Sequence, residues 1–194
     1  MGDHRVRGAG RGGVRSAERS VPAVRVLPKQ PAPVWVVVVI GCGTVILYAV
    51  LAALQILVVN PLAAVPGAGL SEIYGGISQA GESPGIPLTL TVLGGGIVLA
   101  LVLAALLLWN RATTPLAAAM AYLFMLALGA PALFIASFPA GMAVADTFLI
   151  SGGDNSGWST ALYLFSTVAL IAAAALATAD AVRRGSVEEK PRGA

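Results

Sequence analysis

Residues 30–71, 83–110, 112–145 and 155–179 contain no Asp, Glu, Lys or Arg. Each of these stretches is longer than the roughly 20 helical residues that a hydrocarbon core about 30 Å thick demands. Only a helix or a closed barrel bonds every backbone N–H and C=O inside lipid. Spans are therefore expected at 34–59, 88–109, 116–137 and 158–182, and the fold class is all-α and polytopic. Residues 34–59 alone hold sixteen Val, Ile or Leu residues, each favouring insertion by about 0.3–0.6 kcal/mol near mid-membrane. The apolar run is far longer than a 7–15-residue signal-peptide core, and no clean Ala-x-Ala site follows, so the first span is read as retained. Overall, 11% of the 194 residues are charged, against about 25% in soluble domains, too few to coat a water-facing surface.

The basic residues predict orientation. Arg5, Arg7, Arg11, Arg15, Arg19, Arg25 and Lys29 precede the first span, Arg111 lies between the second and third, and Arg183, Arg184, Lys190 and Arg192 follow the fourth. Residues 60–87 and 138–157 contain neither Lys nor Arg. Four spans put every cation on one side, which the positive-inside rule makes cytoplasmic, with both termini there. Trp35 and Trp109 then fall at the inner boundary and Trp158 at the outer one, where indole rings settle.

Residues 1–33, rich in Arg, Gly and Pro, read as a disordered basic cytoplasmic tail that touches anionic lipid headgroups. No aromatic is interleaved with Arg7-Gly8 or Arg11-Gly12-Gly13 for base stacking, so nucleic acid is not an expected partner. Residues 183–194 form a second cytoplasmic tail.

Residues 60–87 and 138–157 are the expected outer connections. Asn60-Pro61 and Pro66-Gly67 are expected to stop the first span. Ser71 is placed to cap a short helix with Glu72 in its first turn and Ile73, Tyr74 and Ile77 on one side, a lid on the outer face. From Leu116 to Ile150 the chain is almost uniformly apolar, about 52 Å as one helix, which overshoots the hydrocarbon. A kink at Gly129-Ala130-Pro131 and a break at Pro139-Ala140-Gly141 are expected. Residues 142–150 become a separate interfacial or re-entrant piece.

Lipid is as apolar as leucine, so helices associate through close contact and hydrogen bonds. Gly41 and Gly43, Gly94-Gly95-Gly96, Ala117 with Ala121, and Ala173, Ala177 and Ala181 supply small faces. These predict an antiparallel four-helix bundle with an extracytoplasmic loop and short-helix cap. The same faces suit a homo-oligomer or a membrane-protein partner.

Chemistry-bearing residues are few. The single histidine, His4, is in the tail, and the single cysteine, Cys42, lies inside the first span. No histidine is placed to pair with a serine and no Gly-rich loop ends in Lys-Ser/Thr. No catalytic residue, metal ligand or cofactor is expected. Asp180, with Arg183 and Arg184 at i+3 and i+4, forms an interfacial ion pair at the inner end of the last span. Glu72, Glu82, Asp146 and Asp154 are candidate contact residues at the outer face, where the sorting rule already favours an acidic balance.

Ala145-Asp146-Thr147 with Ile150 and Gly152 is similar to the second aspartate motif of lipoprotein signal peptidases, which also have four spans. The partner aspartate has no counterpart, because residues 112–145 hold no acid and no Asp-Arg pair occurs in the chain. An aspartic dyad is thereby ruled out. Across residues 34–182, Asn60-Pro61-Leu62-Ala63-Ala64-Val65-Pro66-Gly67, Glu72-Ile73-Tyr74, Ala80-Gly81-Glu82-Ser83 and residues 145–154 resemble small four-span proteins of GC-rich actinobacteria. That resemblance implies a bacterial plasma membrane and no particular activity. The expected role is non-enzymatic: a structural or accessory subunit, or a small sensor, in a membrane complex. The alternative is an oligomeric channel or transporter with a polar path through Thr44, Gln55, Thr89, Thr91, Ser166, Thr167 and Thr178.

Overall fold

The structure, a computed structural model, describes residues 33–188. The basic tail, apart from Pro33, and residues 189–194 lie outside the described residues. Those described are helical, with no strand among them: α1 (Val34–Leu54), a π-helical turn (Gln55–Val59), α2 (Asn60–Ala64), α3 (Leu70–Gln79), α4 (Ile86–Trp109), α5 (Pro115–Ala127), α6 (Gly129–Phe148) and α7 (Gly157–Glu188). Four helical stretches are long and apolar enough to cross a membrane: Val34–Ala64, Ile86–Trp109, Pro115–Phe148 and Gly157–Gly185.

The first stretch corrects one expectation. Asn60-Pro61 does not stop it; the helix runs on to Ala64 and is turned at Pro66-Gly67, where Gly67 takes a left-handed φ of 88°. Pro61 has no N–H to offer the carbonyl four residues back, Leu57. The π turn immediately before it absorbs the mismatch: the Asn60 N–H bonds to the Gln55 carbonyl, five residues back. Tyr74 of α3 then donates its hydroxyl to the Leu57 carbonyl at 2.9 Å.

The third stretch corrects a second. It is interrupted at Leu128, between α5 and α6, three residues before Pro131, whose ring and missing N–H end α5 at Ala127. No break occurs at Pro139. Residues 142–148 are the last turns of α6 rather than a separate piece, and α6 ends only where Leu149 turns left-handed at φ 53°. The Pro139 ring is held from outside the helix: it packs onto Gly85, the left-handed residue (φ 64°) that starts α4, so closely that a Cβ there would lie 2.5 Å from the proline Cβ.

Hydrogen-bonded pairs show which helices lie together. Thr89 Oγ1 donates to Ala136 O at 2.8 Å and Tyr122 Oη to Ala100 O at 3.3 Å, joining α4 to α6 and α5 in opposite chain senses. Ser166 Oγ donates to Tyr48 Oη at 3.1 Å and joins α7 to α1. One apolar core runs among α1, α4, α5, α6 and α7, centred on Val38, Ala52, Ala100, Ala118, Leu133 and Ala136. A second, smaller core lies under α3, where Ile73 and Ile77 are fully buried against Ala143 and Val144 of α6. Ser71 is not the cap of α3: the N-cap is Gly69, and no side chain bonds there.

Two tyrosines set how closely α1 approaches α5 and α6. Tyr122 lies over Gly41 and Tyr48 over Gly129. α1 gives a notch and a ring, and opposite it α5 gives the ring and α6 the notch, seven residues apart on both sides (41 to 48, 122 to 129). A Cβ on Gly129 would stand 2.8 Å from two Tyr48 ring carbons, and one on Gly41 would overlap Tyr122.

Candidate functional site

Neutral polar side chains gather where α1, α3, α6 and α7 meet. An amide in an apolar helix is costly unless its hydrogen bonds are made inside the protein. Gln55, 3% exposed at the start of the π turn, makes them with Ser156: its Nε2 donates to Ser156 Oγ at 2.6 Å, and that hydroxyl donates back to Gln55 Oε1 at 2.9 Å. One turn further, the Asn155 backbone N–H donates to the Asn60 side-chain oxygen at 2.7 Å, and Asn60 is buried. Ser159, also buried, donates to the Ser156 carbonyl at 3.0 Å. The connection before α7 is thereby tied to the π turn of α1 by two amides a helical turn apart.

Tyr74 closes the group from above through its bond to the Leu57 carbonyl. Burial pushes its phenol above the usual value of 10.0, so the hydroxyl stays protonated and able to donate at any physiological pH. Gly76 lets the Phe148 ring come within 3.1 Å of where a Cβ would stand, which seats α3 flat on the end of α6. Beside it the Thr147 hydroxyl is buried without a hydrogen-bond partner among the described residues.

Below Gln55 lies an apolar cavity of about 480 Å³ between α1 and α7. Leu51, Leu54, Leu162 and Phe165 wall it, Thr44 stands at its far end, and Gln55, Trp158 and, a turn beyond, Val59 line its near end. The Thr44 hydroxyl is turned onto its own helix, donating to Ile40 O at 2.7 Å. A second cavity of about 270 Å³ lies on the other side of Tyr48, against Gly95 and Gly96.

Of the residues singled out from sequence, Glu72, Glu82, Asp146 and Asp154 are all exposed, on α3, just after it, on α6, and before α7. Among the described residues no three His, Cys, Asp or Glu converge to hold a metal ion. Arg184 Nη2 lies 2.6 Å from Asp180 Oδ2, one turn apart on α7, while Arg183 is exposed. The amide group was only partly legible: Gln55 stands out as a carboxamide in an apolar run, but Asn60 and Asn155 read as turn residues. Carboxamides and aliphatic hydroxyls both donate and accept hydrogen bonds and stay uncharged at neutral pH. No family model, curated protein or solved structure matches this chain.

Proposed function

We propose that the chain is a four-span protein of a bacterial plasma membrane, an antiparallel helix bundle with both ends in the cytosol and α3 as an extracytoplasmic cap. Its role is that of a non-enzymatic accessory subunit or small sensor in a membrane complex, and the α3 end is its contact surface.

The observation that carries this proposal is how interior polarity is used. Thr89, Tyr122 and Ser166 with Tyr48 each tie one helix to another, and Gln55 ties the π turn to Ser156 in the connection before α7. Thr44, Thr91, Thr167 and Thr178 donate to carbonyls of their own helices. All seven residues of the polar path considered for a channel are engaged in this way, which favours the accessory reading over a pore. The orientation is supported by charge: Arg111 and the Asp180–Arg184 pair lie at the end opposite α3, as the positive-inside rule requires of a cytosolic face.

Purification in mild detergent followed by mass analysis tests the role; the expected result is a stoichiometric membrane-protein partner, and a strictly monomeric protein overturns it. Reporter fusions at Val65 and Gly153 are expected to report the outside and one at Thr113 the cytosol.

A further inference from the structure

We infer that the cavity between α1 and α7 is a binding slot for one acyl chain of an amine-bearing zwitterionic phospholipid, with the headgroup at the amides above it. The leaflet named here, the outer one, rests on the orientation proposed above; the slot itself does not.

Depth points to a lipid chain. From Thr44 to Gln55 the helix rises about 16 Å, and one leaflet contributes about half of a 30 Å hydrocarbon core. Trp158, 65% exposed, faces the cavity level with Gln55, and indole rings mark the headgroup boundary. The slot thus starts at the interface and ends at the bilayer midplane. Thr44 turns its hydroxyl onto its own helix and Tyr48 engages its hydroxyl with Ser166, so the polar groups below Gln55 already have partners within the protein.

The lining is apolar along this length, through Leu47, Leu51, Leu54, Leu162 and Phe165, and a hydrocarbon chain matches it; a partner's span, or one from a second copy, is the outcome that the dimer arm of the test below reads.

Charge selects the headgroup. Gln55 spends its amide on Ser156, so the selection falls to the charges around the mouth. Asp154 stands exposed two residues before Ser156, and Glu72, Glu82 and Asp146 belong to the same end, where residues 60–87 and 138–157 have no Lys or Arg. A field of one sign attracts an ammonium group and repels a headgroup of net negative charge.

The full chain, reconstituted in nanodiscs of mixed phosphatidylethanolamine and phosphatidylglycerol and then released into detergent, is assayed for retained lipid by native mass spectrometry. One phosphatidylethanolamine per protomer is expected, preferred about tenfold over phosphatidylglycerol. Ala161→Trp fills the slot from an exposed position that the fold does not need; retention is expected to fall about tenfold with unchanged thermal unfolding. Asp154→Asn is expected to keep the chain bound but lower the preference for phosphatidylethanolamine about twofold. Retention indifferent to Ala161→Trp, equal retention of phosphatidylglycerol by the unmodified protein, or a dimer that Ala161→Trp splits into monomers would each overturn the slot. Reporter fusions made in the same strains separate the two proposals: retention sensitive to Ala161→Trp with Val65 reporting the cytosol keeps the slot and removes only the outer leaflet.

Discussion

Gly41 and Gly129 differ from Gly94, Gly95 and Gly96 in what faces them, although all five lie in apolar helices. The first two receive the rings of Tyr122 and Tyr48, while none of the three α4 glycines has a neighbouring atom within 4 Å of where a Cβ would stand. Glycine alone therefore does not bring helices together in lipid; it does so where a large side chain from the next helix needs its space. Two of the open glycines, Gly95 and Gly96, instead line the smaller cavity beside Tyr48.

The largest expected effect tests that contrast directly. Gly41→Ala and Gly129→Ala should each lower stability by about 1–3 kcal/mol, the usual cost of overfilling a packed interior. Gly94→Ala should be neutral or stabilising by up to ~1 kcal/mol, from helix propensity. Reversible unfolding in mixed micelles reads both. Equal losses at Gly41 and Gly94 would break the contrast.

Next in size is the α3 end, where a hydrogen bond does what the tyrosine rings do at mid-depth. Tyr74→Phe removes the donor that serves the Leu57 carbonyl beside Pro61 and is expected to cost about 1–2 kcal/mol. Pro61→Ala restores a backbone N–H, so the same Tyr74→Phe change should cost less in that background, with a coupling of at least ~0.5 kcal/mol. Additive losses would show that the hydroxyl does not stand in for the missing N–H. The pH dependence has a definite sign. The folded state holds the Tyr74 proton more tightly than the unfolded chain does. This contribution is therefore complete below the ordinary value of 10.0 and is lost as pH rises through the raised folded value. Ultraviolet titration of the Tyr74→Phe variant should lack one late-ionising phenol.

The smallest effect is at the opposite end. Asp180→Asn breaks an ion pair whose arginine side chain is 78% exposed, and should change stability by no more than ~0.5 kcal/mol. Its influence belongs to orientation, which reporter fusions read and unfolding does not.

Several features were legible from residue order alone because they follow from solvation, which acts on each residue separately. Four charge-free apolar stretches have to become helices if they lie in lipid, and Ile73, Tyr74 and Ile77 share a side at any helical spacing. Features that depend on an atom from elsewhere were not. Pro139 looks like a helix breaker until Gly85 is seen beneath its ring, and Asn60-Pro61 looks like a stop until the π turn and the Tyr74 hydroxyl are seen to meet its needs. Ala173, a small residue like Gly41, gains no comparable buried role, and Ala177 and Ala181 of the same stripe are exposed.

Local chemistry thus determined that this chain is helical, how many apolar stretches it has and where its charges lie, since the cost of taking an ion or a bare peptide group out of water hardly depends on the neighbours. Only the tertiary structure decided which glycines are filled, which prolines are tolerated and which amides pair. Those outcomes are differences between a satisfied and an unsatisfied partner, and the partners lie as far apart in the chain as Gln55 and Ser156.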